Sequence, residues 1–187
     1  MKLDKDNKNQ KLVVLAILLA AGIILNRIVP ATPVYHISFD FLAIITVGLL
    51  YGPIYAGITA TMTDFIGAII LPFGVYNPGI TLSIGLQGLA MGFVLNLFLK
   101  RAKRSASKAS GLTIKALILP SVIIAVITGL IGLFLTSYFL WMMYGSGDTY
   151  FAYVLLRIPN ALVTAGIKAI IIPPFINILL KRVIKLS

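Results

Sequence analysis

Asp64 stands near the middle of a long apolar stretch, YGPIYAGITATMTDFIGAIILPFGVYNPG (51–79). A carboxylate inside a membrane-length helix costs several kcal/mol unless a partner or a water-filled space compensates it. Read as a helix, the stretch places Asp64 about seven residues from the end, on the order of 10 Å below the surface. Gly57, Ala60, Thr61, Gly67 and Ala68 share its face at i±3, i±4 and i±7. Small residues let a second helix come close. The carboxylate therefore points into a bundle, either as the structural partner of a neighbouring cation or as a ligand contact.

The last apolar segment carries Arg157, Asn160, Thr164 and Lys168. At 100° per residue, Thr164 and Lys168 fall about 20° to either side of Arg157, with Asn160 at the edge of the stripe. A polar stripe through an apolar helix must face protein or a water-filled cavity. For Arg157, near the outer end, snorkelling to the surface is the competing reading. Lys168 is about 16 Å further along the axis and is expected to meet a helix partner or the inner headgroups. Ser83 and Gln87 lie one turn apart and can line the same space. Arg27 closes the first apolar run, where snorkelling competes with a ligand role. Asp40 suits a helix N-terminus. An acid (Asp64), a cation (Arg157), amides (Gln87, Asn160) and aromatics above them (Phe73, Tyr76, Trp141) make a candidate pocket. That set suits an organic molecule with a planar ring and an anionic part.

The elements that must position these groups follow from composition. The chain has 187 residues, 59% of them hydrophobic and 11% charged, against about 25% charged in an ordinary soluble domain. The fold class expected is all-α, one integral membrane domain (1–187) of six transmembrane helices. The spans are read at about 12–29, 37–51, 54–71, 80–99, 113–141 and 151–172, with a tail at 1–11 and a basic loop at 100–112. The 12–29 run is long enough to cross a bilayer, and Asn26, Arg27 and Pro30 follow instead of a small-residue cleavage site, so it is read as a retained span.

The net charge of +11 comes largely from three clusters. They are Lys2, Lys5, Lys8 and Lys11; Lys100, Arg101, Lys103, Arg104 and Lys108; and Lys181, Arg182 and Lys185. Segments 30–37, 72–79 and 142–150 hold no Lys or Arg, and Asp148 is their only charge. This asymmetry predicts cytoplasmic N- and C-termini, and clusters flanking spans argue against nucleic acid as the partner. The three outer segments share Pro, Gly and aromatic residues, which fit an interfacial belt or a lid over an outward cavity.

Other chemistries lack their residues. Cysteine is absent, so thiol catalysis and a Cys metal site are excluded; His36 is the only histidine, which leaves little room for a His metal site, and no metal or cofactor is expected. There is no G-x-x-x-x-G-K-[ST] phosphate loop and no H-E-x-x-H. A small membrane binder without its own engine needs a partner.

The segments LLYGPIYAGITATMTDFIGAII (49–70), FGVYNPGITLSIGLQGLAMGF (73–93) and RIPNALV (157–163) resemble the S-components of energy-coupling factor (ECF) transporters, and within them the folate-specific branch. The resemblance implies a six-helix bundle holding a vitamin near the outer face of a bacterial plasma membrane, with the outer segments as a lid. It implies no enzymatic activity. The implied partners are folate or a related vitamin, a transmembrane coupling subunit and two cytoplasmic ATPases. Ala16 and Ala20 match the family's A-x-x-x-A contact with the coupling subunit. For folate, Asp64 would accept from the pterin N–H groups, Phe73, Tyr76 or Trp141 would stack on the rings, and Arg157 or Arg27 would pair with the glutamate carboxylates. The alternatives are another vitamin (riboflavin, thiamine or pantothenate), a small intramembrane enzyme using Asp64 with Asp40, and a purely structural membrane subunit.

Overall fold

The computed structural model describes residues 8–28, 37–72, 74–105, 114–145 and 149–181. The described residues are helical and contain no strand: α1 (Lys8–Arg27), α2 (Phe41–Tyr51), α3 (Pro53–Ile70), α4 (Pro78–Ser105), α5 (Ile114–Ile131), a π-helical turn (Gly132–Thr136), α6 (Ser137–Tyr144) and α7 (Tyr150–Leu179). α5, the π turn and α6 follow one another without a break. Five helical stretches are long and apolar enough to cross a membrane, and α2 is apolar but shorter. The chain is a helical membrane protein.

Several boundaries differ from the sequence reading. The second apolar run becomes helical only at Phe41; residues 37–39 are not helical, and the Phe39 amide ties back to the Leu25 carbonyl of α1 at 3.3 Å. α4 continues to Ser105, so Lys100 and Arg101 extend the helix instead of opening a loop. α7 runs through Pro173 and Pro174 to Leu179. Prolines inside a membrane helix are tolerated when neighbouring structure satisfies the freed carbonyls. Phe73 lies outside the described residues.

The short α2 has a geometric consequence. Only Gly52 separates it from α3, and the glycine takes φ +95°, a conformation that a side chain disfavours. The two helices therefore start from one level. At 1.5 Å per residue, α2 rises ~16 Å and α3 ~27 Å. The N-terminal end of α2, with Asp40, thus lies ~10 Å below the level at which α3 ends.

Close packing of α3 on α4 follows from glycine. A Cβ on Gly88 would fall 2.5 Å from the Ala60 Cβ, and one on Gly92 2.6 Å from the Pro53 Cα. The apolar core draws on Phe41, Ile45, Ala56, Leu95, Leu117, Ile124, Ile172 and Ile176. In this antiparallel arrangement all of them except Phe41, at the start of α2, belong to the half of the bundle away from the 72–77 loop. That half is packed solid, and the loop half is hollow. Large apolar side chains such as Ile17, Ile58, Leu119 and Ile170 are exposed, as lipid-facing residues are.

Candidate ligand-binding site

A cavity of about 250 Å³ opens within the bundle, walled by all the helices and the 74–77 segment. Local sequence shapes its loop end. Asn77 accepts the Gly79 amide on its side chain at 2.7 Å, a turn that starts α4 at Pro78, where the missing N–H costs nothing. The Asn77 amide also donates to the Phe139 carbonyl at 3.4 Å. Tyr76 lines the cavity and stacks edge-on against Phe65, with ring centroids 5.7 Å apart.

Asp64 faces this cavity. Its Oδ2 accepts from the Thr81 hydroxyl at 2.6 Å, which binds α3 to α4. Arg27 also lines the cavity. The Arg27 guanidinium lies where a side chain on Gly67 would stand, 3.0 Å from that glycine's missing Cβ. Arg27 is therefore turned into the bundle, and snorkelling does not describe it.

Arg157 is turned inward in the same way. Its Nη1 donates to the Ser137 hydroxyl at 3.3 Å and to the Gly132 carbonyl at 3.5 Å. Both acceptors belong to the π turn or the residue after it. Widening to a π turn is a local deformation that recurs at functional sites. Two further side-chain bonds brace the turn. Ser83 and Thr136 share one at 2.8 Å, and the Tyr150 hydroxyl donates to the Phe134 carbonyl at 3.0 Å.

Along α7, Arg157, Asn160, Thr164 and Lys168 all line the cavity, and Gln87 faces them from α4. Asn160 Oδ1, Thr164 Oγ1 and Arg157 Nε are buried without a hydrogen-bond partner among the described residues. A buried polar group is nearly always paired. Three unpaired ones on a single cavity-facing stripe are an arrangement that a bound polar molecule would complete.

Asp40, Asn26 and Lys168 also line the cavity. Asp40 is 7% exposed and accepts from the Asn26 amide at 2.9 Å and from the Ser38 hydroxyl at 2.7 Å. Its place at the N-terminal end of α2 favours the charge. Lys168 donates to the Thr128 hydroxyl at 3.2 Å. It meets a helix partner, as the stripe predicts, yet it also lines the cavity. Residue type alone does not single out Asn26, which sits beside Arg27 at what reads as a span end. The one signal for it was a second polar residue at the close of an apolar run.

Of the residues singled out from sequence, Asp64, Arg157, Gln87, Asn160, Tyr76 and Arg27 come together around one cavity. Trp141 does not line it. That ring packs with Tyr138 and Tyr150, at centroid distances of 6.2 and 6.3 Å. Ala16 and Ala20 are on the outer surface of α1, exposed, on the same side as Val13, Ile17 and Ile24.

The fold and the cavity define a helical membrane bundle with an internal, charged hollow. Residues 10–176 match the family model described as "ECF transporter, substrate-specific component". The chain belongs to this family, as the resemblance implied. Among curated proteins, a "Folate transporter FolT" of Clostridium novyi (strain NT) is 34% identical over 73 residues, 38% of this chain and 42% of that protein. One of the same name from Leuconostoc mesenteroides subsp. mesenteroides is 31% identical over 80 residues, 43% of each. The matched stretches thus span less than half the length of these relatives. A solved structure, "Crystal structure of FolT bound with folic acid", has the same fold, with a TM-score of 0.66 over 89% of this chain and 90% of that one at 24% identity.

Proposed function

We propose that this chain is the folate-binding S-component of a bacterial ECF importer. It does no chemistry on its ligand and delivers it with an ATP-driven coupling module. The observation that carries the reading is the row of unpaired buried polar atoms, Arg157 Nε, Asn160 Oδ1 and Thr164 Oγ1, along one wall of the cavity. A structural subunit gains nothing from such a row, because each buried unpaired group costs about 1–3 kcal/mol.

Folate fits the chemistry of the walls. It has a planar bicyclic head with an amide edge, a benzoyl ring, and a glutamate with two carboxylates. Arg157 and Arg27 receive the carboxylates at the loop end. Gln87 and Asn160 supply amide donors and acceptors, and Tyr76 covers the opening. Asp64, bonded to Thr81 and about one turn from Gly67, against which the Arg27 guanidinium packs, orients that guanidinium, which is a different task from the pterin contact expected from sequence. The lack of Lys and Arg in 72–79 and 142–150, against the basic tails, supports cytoplasmic termini and a cavity that opens outward in the plasma membrane. The exposed Ala16 and Ala20 are the contact for the coupling subunit.

Mass spectrometry of the small molecule that copurifies with detergent-extracted protein tests this reading. A folate mass is expected. The mass of another vitamin would redirect the specificity, and an empty protein that also fails to bind added folate would favour a structural subunit.

A further inference from the structure

Hydroxyls on the helices of this bundle share a habit. Thr46, Thr61, Ser121 and Thr128 each donate to the carbonyl four residues back on their own helix, at 2.7–2.9 Å. A Ser or Thr inside a helix bonds in this way unless another partner takes its hydroxyl. Thr81, which serves Asp64, and the pair Ser83 and Thr136 depart from it. For Thr136 the carbonyl four residues back is that of Gly132. Among the described residues, the Thr136 hydroxyl instead shares its one hydrogen bond with Ser83 of α4, at 2.8 Å. The Gly132 carbonyl accepts from Arg157 Nη1 at 3.5 Å, and the Ser137 hydroxyl accepts from the same nitrogen at 3.3 Å.

These contacts compete for one acceptor. A carbonyl oxygen has two lone pairs. In a helix one serves the backbone amide, and the other is open to a side group. At Gly132 that group is either the Thr136 hydroxyl or the Arg157 guanidinium. Both bonds that hold Arg157 are longer than the usual 2.7–3.2 Å, so a hydroxyl bonding at the distance of the other four would displace the guanidinium from this carbonyl. Ser83 prevents that. It is fully buried, and it stands behind the cavity wall: Ile84 and Gln87 of the same helix line the cavity, and Ser83 does not. Its hydroxyl therefore meets Thr136 and no ligand.

Resting on the folate reading above, we infer that Ser83 is a positioning residue for Arg157: by holding the Thr136 hydroxyl it keeps the Gly132 carbonyl open to the guanidinium, which is thereby fixed at the cavity wall. Without the Ser83 hydroxyl, Thr136 turns about χ1 and donates to the carbonyl behind it. Arg157 then keeps only Ser137, and a guanidinium held at one point must be ordered again when an anion binds. The loss falls on ligands that carry the carboxylate tail. Removing the Thr136 hydroxyl as well takes away the competitor, so the second substitution repairs the first. A bond that merely tied α4 to the π turn would behave in the opposite way, because removing its second partner cannot restore it.

Calorimetry with folic acid and with pteroate, which lacks the glutamate, tests the assignment. Ser83→Ala should weaken folic acid binding by about five- to tenfold and shift pteroate by no more than about twofold. Ser83→Ala combined with Thr136→Val should bind folic acid at least about threefold tighter than Ser83→Ala alone. If Ser83→Ala does not give monodisperse protein, Ser83→Cys, of similar size and with a weakly bonding thiol, takes its place in both comparisons. A double variant no tighter than the single one, or equal losses for folic acid and pteroate in the single variant, overturns the inference alone. Absence of folic acid binding by the unaltered protein overturns the folate reading and the inference with it.

Discussion

A guanidinium near the end of an apolar helix can reach out to the headgroups or turn inward, and the two outcomes need different neighbours. Arg157 turns inward because Ser137 and the Gly132 carbonyl accept from it. Its Nε stays unpaired beside the cavity, so the group is held in place with capacity to spare. Arg157→Gln should therefore weaken folic acid binding by about 30- to 150-fold, the equivalent of 2–3 kcal/mol for a charge-assisted hydrogen bond. Pteroate, which lacks the glutamate, should be affected far less. Asn160→Ala should weaken both ligands by a similar, smaller factor, about 5- to 10-fold, since it loses a neutral partner. Equal losses for folic acid and pteroate in Arg157→Gln would remove the carboxylate role. Asp64, Gln87, Arg157 and Asn160 were legible in the sequence because each interrupts an apolar run, and polar groups in such runs have few places to go. Asp40, Asn26 and Lys168 were legible as residues but not as neighbours. What joins them is tertiary: the short α2 that sinks Asp40, and the register of α7 on α5.

At the scale of elements, two departures from regular helix shape the site. The first is the length of α2. Its apolar run reads as starting at 37, and nothing in residue type marks residues 37–39 as non-helical, where the Phe39 amide ties back to α1. The second is the π turn. One extra residue in a turn rotates all that follows by about 100°. Leu140, Met143 and Tyr144 then line the cavity, and Trp141 faces Tyr138 and Tyr150. An aromatic at a span end reads equally well as lid or belt, and only the inserted turn decides. On α1 the division is simpler. Gly22 and Asn26 are buried, and Ala16 and Ala20 face away from the bundle. Small residues on an exposed membrane face allow close backbone contact with another helix. Ala16→Trp with Ala20→Trp should leave folic acid affinity within about twofold, because neither residue reaches the cavity, and should abolish copurification with the coupling subunit. Retained assembly would place that contact elsewhere.

The whole molecule is asymmetric along its axis. Away from the 72–77 loop, Ile45, Leu95, Leu117, Ile124, Ile172 and Ile176 close the bundle with apolar packing. Toward the loop, the helices surround a cavity lined by charged and amide groups. A plug at one end and a hollow at the other suit a subunit that captures a solute from one side and cannot pass it through unaided. Six apolar helices were foreseeable from run length and breaker residues, and family membership from the motifs at 49–70, 73–93 and 157–163. The axial division was not, because apolar residues in the plug and apolar residues facing lipid look alike in sequence. The most direct test is an experimental structure of the chain saturated with folic acid. The account predicts ligand density inside this cavity, with the glutamate carboxylates beside Arg157 and Arg27. Density on the outer surface of the bundle, or an unoccupied cavity under conditions where calorimetry reports binding, would contradict it.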